Sequence, residues 1–308
     1  MTNQELISKL NGILLPFTTP FSKDGQILSA DLVANLDRWN FTGITGYAAL
    51  GSTGERVHLD EREYLQIIET SRAAVPGSLA FIAGAGQQSV IGTVNEVKKA
   101  AQAGADAVLV ITPSFYRTAI TQQALLAFYR AVADASPVPV LLYSMPALTG
   151  IKIEPATIAE LSSHPNIIGV KDSSNDIAGF KSTVELCPRS FAVMTGNGTV
   201  LLDALRAGAT GGILAVGCTV PEICVEILRA HRAGEAEAAS ELQTKLTPLA
   251  AAVTTRFGIG GLKTALELSG YRGGVVRDPL RMPDPAACAE IEELLATATS
   301  ALKVASTT

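Results

Sequence analysis

The chain is poor in the side chains that build metal and redox sites. Its 308 residues include four cysteines and three histidines. Cys187, Cys218, Cys224 and Cys288 form no C-x-x-C pair, and His58, His164 and His231 lie far apart. Neither set has metal-ligand spacing, so no metal is expected. Each cysteine reads as a small buried apolar residue, and a reducing cytoplasm is the expected setting. Positive charge is also in deficit. Twenty-four Lys and Arg face 29 Asp and Glu, a net charge of −5, which argues against a nucleic-acid surface. No apolar run approaches the roughly 18 residues that a membrane span needs. Met1-Thr-Asn-Gln-Glu-Leu has no basic region and no apolar run behind it, so no signal peptide is expected. A dinucleotide fingerprint and a P-loop are both missing, and no cofactor is expected.

What is present is a large apolar reserve, 47% of the chain, ample for a core. The length fits one large domain or two average ones, and barrels of about 250 residues are common as single domains.

One supersecondary unit repeats along the chain. Short apolar runs begin at Ile13-Leu-Leu-Pro-Phe, Gly46-Tyr-Ala-Ala-Leu, Leu79-Ala-Phe-Ile-Ala and Ala107-Val-Leu-Val-Ile. They continue at Val138-Pro-Val-Leu-Leu-Tyr, Ile167-Ile-Gly-Val-Lys, Phe191-Ala-Val-Met-Thr and Gly212-Ile-Leu-Ala-Val. Their length and unbroken apolar character suit parallel strands buried on both faces. Amphipathic stretches lie between them, from 31–41 through 200–207. Ala103-Gly104, Ala207-Gly208 and Ala233-Gly234 read as helix C-caps. Eight such units at roughly 30-residue spacing predict a (β/α)8 TIM barrel of the α/β class. A doubly wound open sheet is the alternative, and it would not need eight regular units. Past Ala233 only helical patterns remain, at 236–249, 260–269 and 285–303. The expected organisation is therefore a catalytic barrel over 1–233 and a C-terminal helical extension over 234–308 packed on it.

Barrel active sites lie at the C-terminal ends of the strands. Lys171 stands there, closing the apolar run Ile167-Ile-Gly-Val-Lys. An ammonium in that position is costly to desolvate unless it gives up its proton or finds a partner. A free amine there is a nucleophile that can form a Schiff base with a carbonyl substrate. Reaching solvent or pairing with Asp172 is the simpler reading. Three more segments reach the same rim: Gly51-Ser-Thr-Gly-Glu55, Thr112-Pro-Ser-Phe-Tyr116 and Tyr143-Ser-Met-Pro146. The glycine-flanked Ser52-Thr53 pair offers two hydroxyls and close N–H groups, suited to a small carboxylate, or simply an ordinary turn with a helix cap. Tyr143 is either a core aromatic or a proton shuttle beside the lysine. Gly84-Ala-Gly86 and Gly196-Asn-Gly198 could cradle phosphate, but close backbone packing is the stronger expectation.

These motifs together resemble the dihydrodipicolinate synthase / N-acetylneuraminate lyase family of class I pyruvate aldolases. The carriers are G-S-T-G-E at Gly51–Glu55, Y-x-x-P at Tyr143–Pro146 and G-V-K-D at Gly169–Asp172, within a likeness running from Gly12 to the Arg277-Asp-Pro-Leu segment. The resemblance implies a Schiff base on Lys171, pyruvate carboxylate bound by Ser52 and Thr53, a proton-relaying Tyr143 and a homotetramer. Catalytic residues are then Lys171, Tyr143, Thr53 and Tyr116. Substrate contacts fall to Gly51, Ser52, Thr53, Leu148, Ser173 and Ile213.

Two departures separate this chain from the family's synthases. They carry Y-N-V-P-x-R-T, whose arginine binds the second substrate's carboxylate, where this chain has Leu148. They also carry T-P-Y-Y, whose second tyrosine enters the partner's site, where this chain has Phe115 followed by Tyr116. Tyr143-Ser-Met-Pro-Ala-x-Thr-Gly150 and Ala251-Ala-Val-Thr-Thr-Arg256-Phe-Gly-Ile-x-Gly-Leu-Lys263 resemble the 4-hydroxy-2-oxoglutarate aldolases. Retro-aldol cleavage of 4-hydroxy-2-oxoglutarate to pyruvate and glyoxylate is the leading expectation. Synthase activity with aspartate semialdehyde and a 2-oxo sugar-acid aldolase or dehydratase are the alternatives. A non-catalytic 2-oxo-acid sensor is the reading from a different class.

Overall fold

The repeating units close into a barrel. The computed structural model describes residues 2–305; Met1 and the last three residues of the expected extension, 306–308, lie outside them. The strands are β1 (Ile13–Leu15), β2 (Gly46–Ala49), β3 (Ala80–Ala85), β4 (Ala107–Ile111), β5 (Val140–Ser144), β6 (Ile167–Asp172), β7 (Ala192–Thr195) and β8 (Gly211–Ile213). Each pairs in parallel with the next, and β8 closes on β1 through Ile13↔Gly212 and Leu14↔Ile213. Helices lie between the strands. The (β/α)8 TIM barrel is therefore the architecture, and its closure rules out the open sheet.

Two-sided burial explains the unbroken apolar runs. One set of strand side chains, including Leu15, Val110, Leu142 and Val193, packs beneath the helices. The alternate set, including Leu14, Ile82, Leu109, Leu141 and Met194, fills the barrel. A helix at Asn3–Lys9, too short to stand out in the sequence, precedes β1. Thr2 and Glu5 form its capping box, and its Leu6 and Leu10 join the barrel-interior cluster. It thereby closes the end of the barrel opposite the catalytic rim. Full burial of each leucine is worth about 1.5–3 kcal/mol.

Local signals fix the helix ends. Asp60 and Glu63 make a capping box ahead of Glu61–Ala74. Gly104, Gly208 and Gly234 all take positive φ, +100°, +103° and +76°, which a side chain would strain. Some expected bounds differ. The eighth strand stops at Ile213, because the chain turns at Leu214 into a 3₁₀ turn over Ala215–Cys218. The helix expected to end at Leu249 runs to Ala251 and widens into a π turn over Ala252–Arg256. Cys218 and Cys224 are buried as expected, but Cys187 and Cys288 are only partly buried.

After Pro221–Ala233, the helix that follows β8, the chain adds helices at Ala236–Ala251, Gly258–Leu268 and Pro285–Ala305. Leu242, Leu246, Leu249, Leu262, Leu266 and Ile291 place all three in the same apolar cluster as the outer face of the barrel. Among the described residues, no helix is long and apolar enough to cross a membrane.

Candidate active site

An irregularity in β6 aims Lys171 into the barrel. Val140 pairs with Ile167 but Leu141 pairs with Gly169, so β6 carries one extra residue. Ile168 faces the interior and Val170 faces the helices. Strict alternation from Ile168 would have sent Val170 inward and Lys171 outward. The bulge restores the phase, and bulges commonly re-aim side chains beside active sites. Gly169 is required at this bulge, since a Cβ there would lie 2.6 Å from the Ala192 carbonyl oxygen.

Lys171 is buried, at 3% exposure, and sits in register with Tyr143 on β5. Its Nζ lies 4.4 Å from the centroid of the Tyr143 ring. Asp172 is not its partner. That carboxylate accepts from the Ser174 N–H at 2.7 Å, and burial holds its pKa above the ordinary aspartate range. Neither simple reading of the lysine survives: it does not reach solvent and it does not pair with Asp172.

Tyr143 is itself buried, at 2% exposure, and its hydroxyl lies 3.1 Å from Ser52 Oγ. Burial pushes its pKa up. The Lys171 charge and the hydrogen bonds around the phenol, that to Ser52 among them, outweigh burial and bring it below the ordinary tyrosine value. The arrangement brings the Lys171 amine, a phenol held below its ordinary pKa and the Ser52 hydroxyl into one cluster.

The turn after β2 supplies that hydroxyl. Gly51 precedes a 3₁₀ turn over Ser52–Gly54, closed by the Gly54 N–H donating to the Gly51 carbonyl at 3.1 Å. Thr53 is buried in it, and a Cβ on Gly51 would meet nothing within 4 Å, so space remains beside the turn. Ser52, expected to bind substrate, has its hydroxyl 3.1 Å from that of Tyr143, a contact that leaves the serine capacity for a further hydrogen bond. On the far side, Ser173 Oγ is buried beside Gly196. A Cβ at Gly196 would collide with that oxygen and lie 2.7 Å from Lys171 Cε. Gly196 thus allows close packing against the lysine, and Gly198 allows it against Val216. Gly84 does likewise against the Leu50 carbonyl. Ile213 is fully buried at the end of β8, facing the barrel interior.

Two expected residues stand apart. Leu148 lies on the short helix Pro146–Thr149 at the rim, 60% exposed. Phe115 and Tyr116 stand on the exposed loop after β4, packed edge to face at 5.0 Å. Within one chain, Tyr116 is not brought to Lys171 or Tyr143.

The sequence reading also missed a buried ion pair behind the Ser52–Gly54 turn. Glu55 Oε1 lies 2.6 Å from the Nζ of Lys263, which belongs to the helix Gly258–Leu268. Both side chains are at or below 1% exposure. Burial pulls the Lys263 pKa down to about 8, against the opposing pull of Glu55. A lone lysine on the apolar stretch Gly260-Gly-Leu-Lys-Thr-Ala-Leu266 was the available signal, but nothing local names its partner. Removing one member of a buried pair costs about 3–5 kcal/mol.

A parallel barrel with a lysine and a tyrosine facing each other inside its C-terminal rim is the build of a Schiff-base aldolase. The family model described as the Dihydrodipicolinate synthetase family matches residues 9–298, and the chain belongs to that family. It is a lyase, of the class I pyruvate aldolase type. Relatives carry two names. The 4-hydroxy-tetrahydrodipicolinate synthase of an Exiguobacterium species is 30% identical over 269 residues, 87% of this chain and 91% of its own. The probable mitochondrial 4-hydroxy-2-oxoglutarate aldolase of Emericella nidulans is 33% identical over 298 residues, 95% of each chain. Among solved structures, YagE of E. coli K12, a prophage protein of the dihydrodipicolinic acid synthase family in complex with pyruvate, matches with a TM-score of 0.87 and 30% identity. That likeness covers 94% of this chain and 98% of YagE. The family's lysine, tyrosine and threonine are all present, as Lys171, Tyr143 and Thr53, which argues against a non-catalytic sensor.

Proposed function

We propose that the enzyme cleaves 4-hydroxy-2-oxoglutarate to pyruvate and glyoxylate. Lys171 Nζ attacks the C2 carbonyl, water leaves, and an iminium forms. Tyr143 takes the proton from the C4 hydroxyl. The C3–C4 bond breaks, its electron pair flows into the iminium to give an enamine, and glyoxylate departs. Protonation at C3 and attack of water on C2 then release pyruvate and the free lysine. Thr53 and the N–H groups of its turn hold the carboxylate next to C2, while Ser52 hands protons to and from Tyr143. Gly51, Ser173 and Ile213 bound the space around pyruvate.

Leu148 carries the choice of substrate. Its exposed, apolar side chain occupies the rim position where the family's synthases place the arginine that grips the second substrate's carboxylate. Leucine cannot replace a bidentate, charge-assisted contact. The name of the Emericella nidulans relative favours the same substrate. Condensation of pyruvate with aspartate semialdehyde is the second reading, favoured by the name of the Exiguobacterium relative. A homotetramer is part of the proposal, with the exposed Phe115–Tyr116 pair meeting a second copy and Tyr116 extending the relay there.

Both reactions are to be measured on one preparation. The expected result is a preference of about tenfold or more for cleavage, which needs only about 1.4 kcal/mol of differential transition-state binding. Efficient synthesis from aspartate semialdehyde would make the synthase reading the better one. Thr53→Val keeps the shape and removes the hydroxyl. It should cost about 1.5–3 kcal/mol, roughly 10–100-fold in pyruvate affinity or rate. Unchanged kinetics would reduce the turn to a structural element.

A further inference from the structure

We propose that Lys263, contributed by the C-terminal helices, is a positioning residue for the carboxylate-binding turn and acts through Glu55. The inference rests on the Schiff-base reading above and adds a role to a part of the chain outside the eight strand–helix units.

Glu55 directly follows Ser52-Thr53-Gly54. It holds a left-handed backbone, φ 54°, which residues other than glycine rarely adopt. Its carboxylate keeps it there. Oε1 meets Lys263 Nζ at 2.6 Å, while Oε2 accepts from the Arg277 N–H at 3.1 Å and lies 3.2 Å from His58 Nδ1. Lys263 is fully buried, and its Nζ also donates to the Thr19 carbonyl at 2.7 Å and the Val275 carbonyl at 2.6 Å. The ammonium is therefore held by two carbonyl acceptors and by its ion pair with Glu55. Thr19 in turn donates its hydroxyl to the Gly54 carbonyl at 2.8 Å. The turn is thus clasped at two successive residues, Gly54 and Glu55, by groups that converge on one ammonium. Thr53 and Ser52 lie immediately before them, and Ser52 is hydrogen-bonded to Tyr143.

A buried ion pair is a poor device for stability alone, since well-packed neutral residues often serve as well or better. Its value lies in geometry. Hydrogen bonds to a carboxylate fix the direction of the chain in a way apolar packing does not. By fixing Glu55, the pair sets the orientation of the Thr53 and Ser52 hydroxyls.

The test removes both charges together. Glu55→Gln/Lys263→Met leaves no unpaired charge buried, so the fold should survive, as checked by circular dichroism and a cooperative thermal transition. The readout is the pyruvate concentration that half-saturates borohydride trapping, together with kcat and KM. A rise of about tenfold or more in the half-saturating concentration is expected in the folded double variant. Wild-type kinetics in that variant would overturn the proposal, because a merely structural pair leaves them unmoved. Should the double variant fail to fold, Glu55→Asp carries the test. It keeps both charges and shortens the reach by one methylene, and a rise of about threefold or more is expected. Unchanged values there would overturn the proposal equally. Trapping of the wild type is scored separately: its failure would defeat the Schiff-base reading itself.

Discussion

Lys171→Ala is expected to abolish turnover while leaving the barrel folded. The side chain lies inside the rim with its Nζ against the Tyr143 ring, and the substitution removes the amine placed there. Without the iminium, the electron pair of the C3–C4 bond has no sink, and no other residue of the site can supply one. Lys171→Arg should be equally inactive, because a guanidinium forms no imine. The assay is pyruvate release from 4-hydroxy-2-oxoglutarate, with circular dichroism to confirm the fold. Residual activity within about a hundredfold of wild type would point away from covalent catalysis, since general acid–base help alone supplies about 10²–10⁴-fold.

Tyr143→Phe is expected to lower kcat by about 10²–10⁴-fold, the usual range for a positioned acid–base group. The ring, and with it the packing against Lys171, is kept. Only the hydroxyl and its hydrogen bonds, that to Ser52 among them, are lost. Schiff-base trapping should therefore persist, with turnover failing after it. The pH profile gives a second check. As the base for the C4 hydroxyl, Tyr143 must be deprotonated, so cleavage should rise with pH through its pKa. That pKa lies below the ordinary value of 10, because the Lys171 charge and the surrounding hydrogen bonds outweigh burial. The limb should appear below pH 10 in the wild type and vanish in Tyr143→Phe. A full rate in the variant would make Tyr143 a packing residue.

Residues close in sequence were the legible ones. The run Ala107–Ile111 was readable as β4 to the residue, because an apolar β-branched stretch bounded by Asp106 and Thr112 has no other comfortable state. The rim segments were legible for the same reason: strand ends follow from strand positions. The aim of Lys171 was not. It depends on an extra residue in β6 that alternation cannot reveal, and the uncorrected pattern points the side chain the wrong way. The Glu55–Lys263 pair was hidden for a different reason. Its members come from opposite ends of the chain and meet only because the C-terminal helices fold back on the barrel. Ser52 was legible as a site residue, but its bond to Tyr143 requires the barrel to bring β2 and β5 to one rim. Leu148 could be read only against the family pattern, since an exposed leucine by itself carries no meaning.

The central claim is a covalent bond between Lys171 and pyruvate. Borohydride is to be added to the wild-type enzyme with pyruvate, and the protein digested and mapped by mass spectrometry. The account predicts a single reduced three-carbon adduct, on the peptide that contains Lys171, and none without pyruvate. An adduct on another lysine, or no adduct in an enzyme that is turning over, would contradict it.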